Sequence, residues 1–164
     1  MFEVGDHIFY PMHGAGKVKA IEEKEFSGKK QTYYIIHLLI GNMKVMIPKR
    51  KMSKSTIRPV KDLDTVKKIA TMFEGRASDE TLTWKQRDKM NTDKLKAGKL
   101  LGMAEVVSGL VQMQEEKKLN SSDRIMLKKA QEYLMSELKL IEGMTVDKTK
   151  EFLSIITRDR LSVA

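Results

Sequence analysis

The stretch "ETLTWKQRDKMN" at residues 80–91 crowds Trp84, Lys85, Arg87 and Lys89 into less than two helical turns, and Trp84 is the only tryptophan of the chain. If Trp84 opens a helix, its same-face neighbours are residues 87, 88 and 91. These are Arg87, Asp88 and Asn91. A tryptophan destined for a core needs apolar residues at some of those positions, and here there are none. Lys85, Lys89 and Lys96 share a neighbouring face of the same helix. An aromatic plane beside a strip of cations can stack on a base, or wedge between two, while the cations hold phosphate. The competing reading has Trp84 fold back from the helix start onto another helix and become core.

Other chemistry has little support in the residues. "GAGK" at residues 14–17 is no phosphate loop, because Pro11 stands where the first glycine belongs and Val18 follows the lysine. His7, His13 and His37 lack metal-ligand spacing, and the chain has no cysteine, so neither a disulfide framework nor a thiolate metal site can form. The helical carboxylates Glu115, Glu116 and Glu137 read as solvated faces. No catalytic residue, metal or cofactor is expected, and the protein reads as non-enzymatic. The net charge of +9 suits either a solvated lysine-rich surface or a polyanionic partner such as nucleic acid. The segment "MFEVGDHIFYPMHG" is not a signal peptide, and no apolar run is long enough to span a membrane. A soluble, cytoplasmic protein is expected.

Two halves must position these groups. Residues 1–60 read as short strands: "HIFYP", then "HGAGKVKAIEE", with Val18 and Ala20 on one side and Lys17 and Lys19 on the other. A hairpin turn follows around Gly28, and "TYYIIHLLI", apolar on both faces, is read as the central strand. "MKVMIP" and "TIRPV" complete a five-stranded antiparallel barrel of the SH3 or Tudor type. From Lys61 the period becomes helical. Leu63, Val66, Ala70 and Phe73 form a stripe that ends near Gly75, and Thr83 with Gln86 makes a capping-box pattern for the next helix. Gly98 interrupts that helix. Met103, Val106, Val107, Leu110 and Val111 form the cleanest apolar face. A long helix carrying Ala130, Tyr133, Leu134, Leu138 and Ile141 is expected to run to Gly143, and a last one carries Phe152, Leu153 and Ile156. The reading is all-β followed by all-α: residues 1–60 form the barrel, and residues 61–164 a compact bundle of roughly five helices.

With "VGDHIFYPMHGAGKV" at 4–18, "GNMKVMIP" at 41–48 and "TWKQRDKMN" at 83–91 in order, the chain resembles the CarD family of bacterial transcription regulators along nearly its whole length. The glycine and proline pattern of the first stretch is shared with the polymerase-interacting module of the transcription-repair coupling factor; the basic helical half with its tryptophan separates the two. The resemblance implies a Tudor-like domain that docks on the β subunit of bacterial RNA polymerase. It also implies a helical domain that contacts promoter DNA, independently of sequence, in the minor groove at the upstream edge of the open bubble. On this reading Trp84 is the wedge, Lys85, Arg87 and Lys89 face DNA, and a further cation position falls on Gln86. Lys24, Met43, Val45, Met46, Ile47 and Pro48 form the polymerase-facing surface. Because Met46 replaces a basic residue, docking is expected to rest on strand pairing and apolar contact more than on ion pairs. The alternative function is a sequence-independent DNA- or RNA-binding protein without polymerase contact.

Overall fold

The computed structural model describes residues 1–75 and 82–158. Strands β1 (His7–Tyr10), β2 (Gly14–Phe26), β3 (Lys29–Leu38), β4 (Met43–Pro48) and β5 (Arg58–Pro59) form one antiparallel sheet in the order β4-β3-β2-β1-β5. The last strand returns beside the first, so β4 and β5 are the two edges. Ser27 (φ 52°) and Gly28 (φ 78°) make the two-residue hairpin between β2 and β3, a geometry that requires positive φ at both positions. A bulge between Val18 and Ala20 shifts the register of that pair, so Val18 opposes Ile36 and Ala20 opposes Ile35, and the two residues expected on one side of the strand lie on opposite faces.

Alternation along β1 and β2 decides where the sheet packs. Ile8 and Val18 point into a barrel core with Tyr34, Ile36, Leu38, Ile47, Met52 and Ile57. Their neighbours Phe9 and Ala15 are directly opposite one another in the ladder and belong to a second cluster, built mainly from the helices. One sheet thus lines two cores because successive side chains leave opposite faces.

Helices α2 (Leu63–Glu74), α3 (Trp84–Ala97), α4 (Leu100–Glu116), α5 (Ser121–Leu138) and α6 (Val146–Thr157) supply the second cluster. Most start on side-chain caps: Asp62, Thr83, Asn120 and Thr145 each accept from a backbone N–H in the first turn. Met103, Val106, Val107 and Leu110 on α4 are fully buried. α3 ends at Gly98 in the left-handed region (φ 68°), where a Cβ would stand 2.6 Å from Pro11 Cγ. Only glycine lets the α3–α4 corner sit against the start of the barrel.

Four expectations need correction. Residues 49–54 form a short helix, α1 (Lys49–Lys54), held to the barrel by buried Met52. The last strand shrinks to Arg58–Pro59. β3 has partners on both sides, but the middle of the sheet is β2, and β3 buries alternate residues rather than both faces. α5 stops at Leu138, and the chain turns back through residues 139–143 to reach Gly143 (φ 85°). No helix among the described residues is long and apolar enough to cross a membrane.

Candidate nucleic-acid interface and docking edge

The first turn of α3 is built by a capping box. Gln86 N donates to Thr83 Oγ1 at 3.2 Å, and Thr83 N donates back to Gln86 Oε1 at 3.0 Å. Gln86, the polar residue at the position the resemblance gives to a cation, is therefore spent on starting the helix. Trp84 is the first helical residue and is 55% exposed. Helical side chains lean toward the N-terminus, so a residue on the first turn projects beyond the helix end. Lys85 Nζ lies 5.8 Å from the centroid of the indole, a cation–π contact that makes ring and charge one unit. Lys89 is exposed on the next turn.

Arg87 is placed differently. Its Nη2 donates to Asp123 Oδ2 at 3.1 Å, with side-chain exposures of 17% and 6% for the two residues. Beside it, Ser122 Oγ donates to Asp88 Oδ1 at 3.2 Å, and Asn91 is buried. The face of α3 below Trp84 is thus clamped to the N-terminus of α5 by polar contacts. The charge of Arg87 is committed to that clamp, while those of Lys85 and Lys89 remain on the surface.

On the barrel, Met43 (49%) and Met46 (42%) are the exposed apolar residues of edge strand β4. Val45 and Pro48 are half-buried, and Ile47 points into the barrel core. Lys24 is half-buried and lies 3.6 Å from exposed Glu22, an arrangement worth little at a surface. Met46 pairs with Ile35, which pairs with Ala20, so Lys24 shares their outer face. It sits four residue steps along and two strands across from Met46, on the order of 15 Å away.

One constellation escaped the sequence reading. Glu137, expected on a solvated face, is 0% exposed. Its carboxylate accepts Arg58 Nη1 and Nη2 at 2.7 Å each and Lys61 N at 2.9 Å. Arg58 also donates Nε and Nη2 to Gly98 O at 3.0 and 2.8 Å and Nη1 to Pro59 O at 3.0 Å, and it lies 4.7 Å over the Phe9 ring. Every N–H of the guanidinium is used. Nearby, Ala15 N donates to Ser136 Oγ at 2.9 Å, and Tyr133 OH to Met12 O at 3.0 Å. Burial of the Tyr133 ring pushes its hydroxyl pKa up. These bonds join barrel and helices, and Gly98 is the C-cap of the helix that carries Trp84.

His7 Nδ1 contacts Leu140 O at 3.0 Å, and His37 bonds Asn42 Oδ1. Among the described residues no group of His, Asp and Glu is arranged to hold a metal ion.

A family model described as "CarD, C-terminal domain" matches residues 68–154, and one described as "CarD-like/TRCF RID domain" matches residues 2–61. The chain is 52% identical over 152 residues to a Bacillus subtilis (strain 168) protein named "Putative transcription factor YdeB", covering 93% of this chain and 99% of that protein. Among solved structures it is similar to the Myxococcus xanthus CdnL N-terminal fragment, at 38% identity and a TM-score of 0.30, over 32% of this chain and 75% of that one. It is also similar to the 72-residue N-terminal domain of Myxococcus xanthus CarD, at 32% identity and a TM-score of 0.31, over 36% and 79%.

Proposed function

Because the chain belongs to the CarD family of transcription regulators, we propose that it acts on RNA polymerase without catalysing a reaction, as a tether with a wedge. Residues 1–60 dock on the polymerase β subunit through the open edge of β4, where exposed Met43 and Met46 flank backbone groups free to take another strand. Residues 61–164 bring α3 to the upstream edge of the melted promoter. There Lys85 and Lys89 hold phosphate and Trp84 inserts at an unstacked step. Arg87 contributes by fixing α3 rather than by reaching DNA. The protein then resides in the cytoplasm, on the nucleoid wherever polymerase is.

The observation that carries this reading is the half-exposed Trp84 with Lys85 over its ring, at the start of a helix whose first two turns pack through polar residues. Inserting between stacked bases costs on the order of a few kcal/mol. The indole therefore gains most where the step is already open, and it stabilises open complex over closed duplex. Trp84→Ala tests this by melting temperature and open-complex decay on the same variant. Thermal stability and β-subunit binding should hardly change, while the open-complex lifetime should shorten about tenfold for each 1.4 kcal/mol of wedge energy lost. An unchanged lifetime would refute the wedge.

A further inference from the structure

The register of β3 ends at different points on its two sides. Against β2 it runs from Leu38 out to Lys29, but against β4 it stops at Tyr33, opposite Pro48. Pro48 has no N–H to continue the ladder, and the chain leaves it directly into α1. Residues 29–32 therefore keep one open edge, with N–H and C=O groups directed away from β2. The space beside this edge is a groove of about 400 Å³, lined by Gln31 and Thr32 of β3, Pro48, and Lys49, Arg50 and Ser53 of α1, together with Met1.

Two cations, Lys49 and Arg50, line the groove. Lys49, Arg50, Lys51 and Lys54 are exposed on α1, which has no acidic residue, and none of the four makes an ion pair among the described residues. Lys29 and Lys30 start the open edge. Of the nearby carboxylates on β2, Glu23 stands opposite Thr32 and Glu25 opposite Lys30 in the ladder, so the free positive charge of the site is that of Lys49 and Arg50. A charge cluster alone would suit any polyanion. An unpaired strand edge inside the cluster is a more specific device, because it supplies alternating backbone donors and acceptors that a phosphodiester chain cannot match.

We propose that this groove binds an extended acidic peptide segment, which adds to β3 along residues 29–32 and places its carboxylates against Lys49 and Arg50. The site begins at Pro48, where the β4 edge ends, and needs neither Met43 nor Met46. Peptide backbone supplies the pairing, and glutamates or aspartates on one face of the added strand supply the selectivity.

The test uses the full chain and a labelled short peptide alternating glutamate with valine, which puts every carboxylate on one face. The same pattern with glutamine and a single-stranded DNA oligomer serve as the other arms. Fluorescence anisotropy should show binding of the glutamate peptide over the glutamine one. Hydrogen exchange should show new protection confined to the amides of residues 29–32. The double variant Lys49→Glu with Arg50→Glu, which changes only exposed side chains, should weaken the peptide about tenfold or more with no change in melting temperature. Binding without protection at residues 29–32 would overturn strand addition. DNA binding that this double variant weakens would make the patch a nucleic-acid surface, since DNA held by α3 is untouched by it, and no binding of the peptide would remove the site altogether.

Discussion

The bridge between Arg58 and Glu137 offers a quantitative test of how the two halves are held. Glu137→Gln preserves side-chain shape but replaces an anionic oxygen with an NH₂ group. The carboxylate accepts two bonds from Arg58 and one from Lys61 N, so the amide must present a donor to a donor. With Glu137 at 0% exposure and Arg58 at 17%, water cannot replace the lost acceptor at Glu137. Removing one partner of a buried ion pair costs about 3–5 kcal/mol. At about 2–4 °C per kcal/mol for a chain of this size, the melting temperature should fall by roughly 6–20 °C. Arg58→Met should fall at least as far, because Gly98 O also loses two donors, worth about 1–3 kcal/mol more. The double variant Arg58→Met with Glu137→Leu removes both charges and should recover most of the loss, leaving a deficit of about 1–3 kcal/mol for the stranded Gly98 carbonyl. Calorimetry on the four proteins measures the coupling directly. If Glu137→Gln shifts the melting temperature by less than about 3 °C, or the two single losses simply add, the buried charges are not what joins barrel and helices.

Further predictions concern the sites themselves. Arg87→Ala strands the carboxylate of Asp123 in a nearly buried position and should lower the melting temperature by several degrees, whereas Lys85→Ala and Lys89→Ala should each stay within about 0.5 kcal/mol of the parent. Only the two lysine variants should lower DNA affinity without loss of stability, as a filter-binding titration can show. Lys44→Pro takes an outward-facing backbone donor out of edge strand β4 and should abolish β-subunit binding in a protein that circular dichroism still reports as folded; retained binding would exclude strand pairing there. At the start of α2, hydrogen bonds from Thr65, side chain first and then backbone, hold the Asp62 carboxyl below its ordinary value of 3.8. A lowered carboxylate pKa contributes stability that is complete above the ordinary range and is lost as pH falls through the lowered value. The melting-temperature gap between Asp62→Ala and the parent should therefore be widest near neutral pH and close on acidification below the ordinary carboxylate range.

What the sequence made legible was what neighbours in the chain decide. The alternation of Val18 with Lys17 and Lys19, the capping box of Thr83 and Gln86, and the stop at Gly98 are contracts between residues a few positions apart, and each is found in the structure. Helix α1 was invisible because "KRKMSK" has one apolar residue and no period; it is a helix because Met52 can reach the barrel core. Glu137 was misread for a related reason. On its own helix a glutamate looks solvated, and the residues that bury it, Arg58 and Lys61, lie more than seventy positions away. Local pattern carries no information about a partner that the fold must first bring near.

The same limit explains how Trp84 and Arg87 come to differ. By composition both belong to one basic strip, and the periodicity that puts them on one face cannot say which of them turns outward. The three-dimensional partner decides. Asp123 and Ser122 meet α3 where residues 87 and 88 emerge, so the contact between α3 and α5 is made of charge and hydrogen bonds. A polar contact of that kind offers no apolar surface on which an indole one turn earlier could settle. The cation withdrawn from the surface is thus part of the reason the tryptophan remains on it. With the capping box, it holds the first turn of α3 in the one orientation that presents ring and Lys85 together.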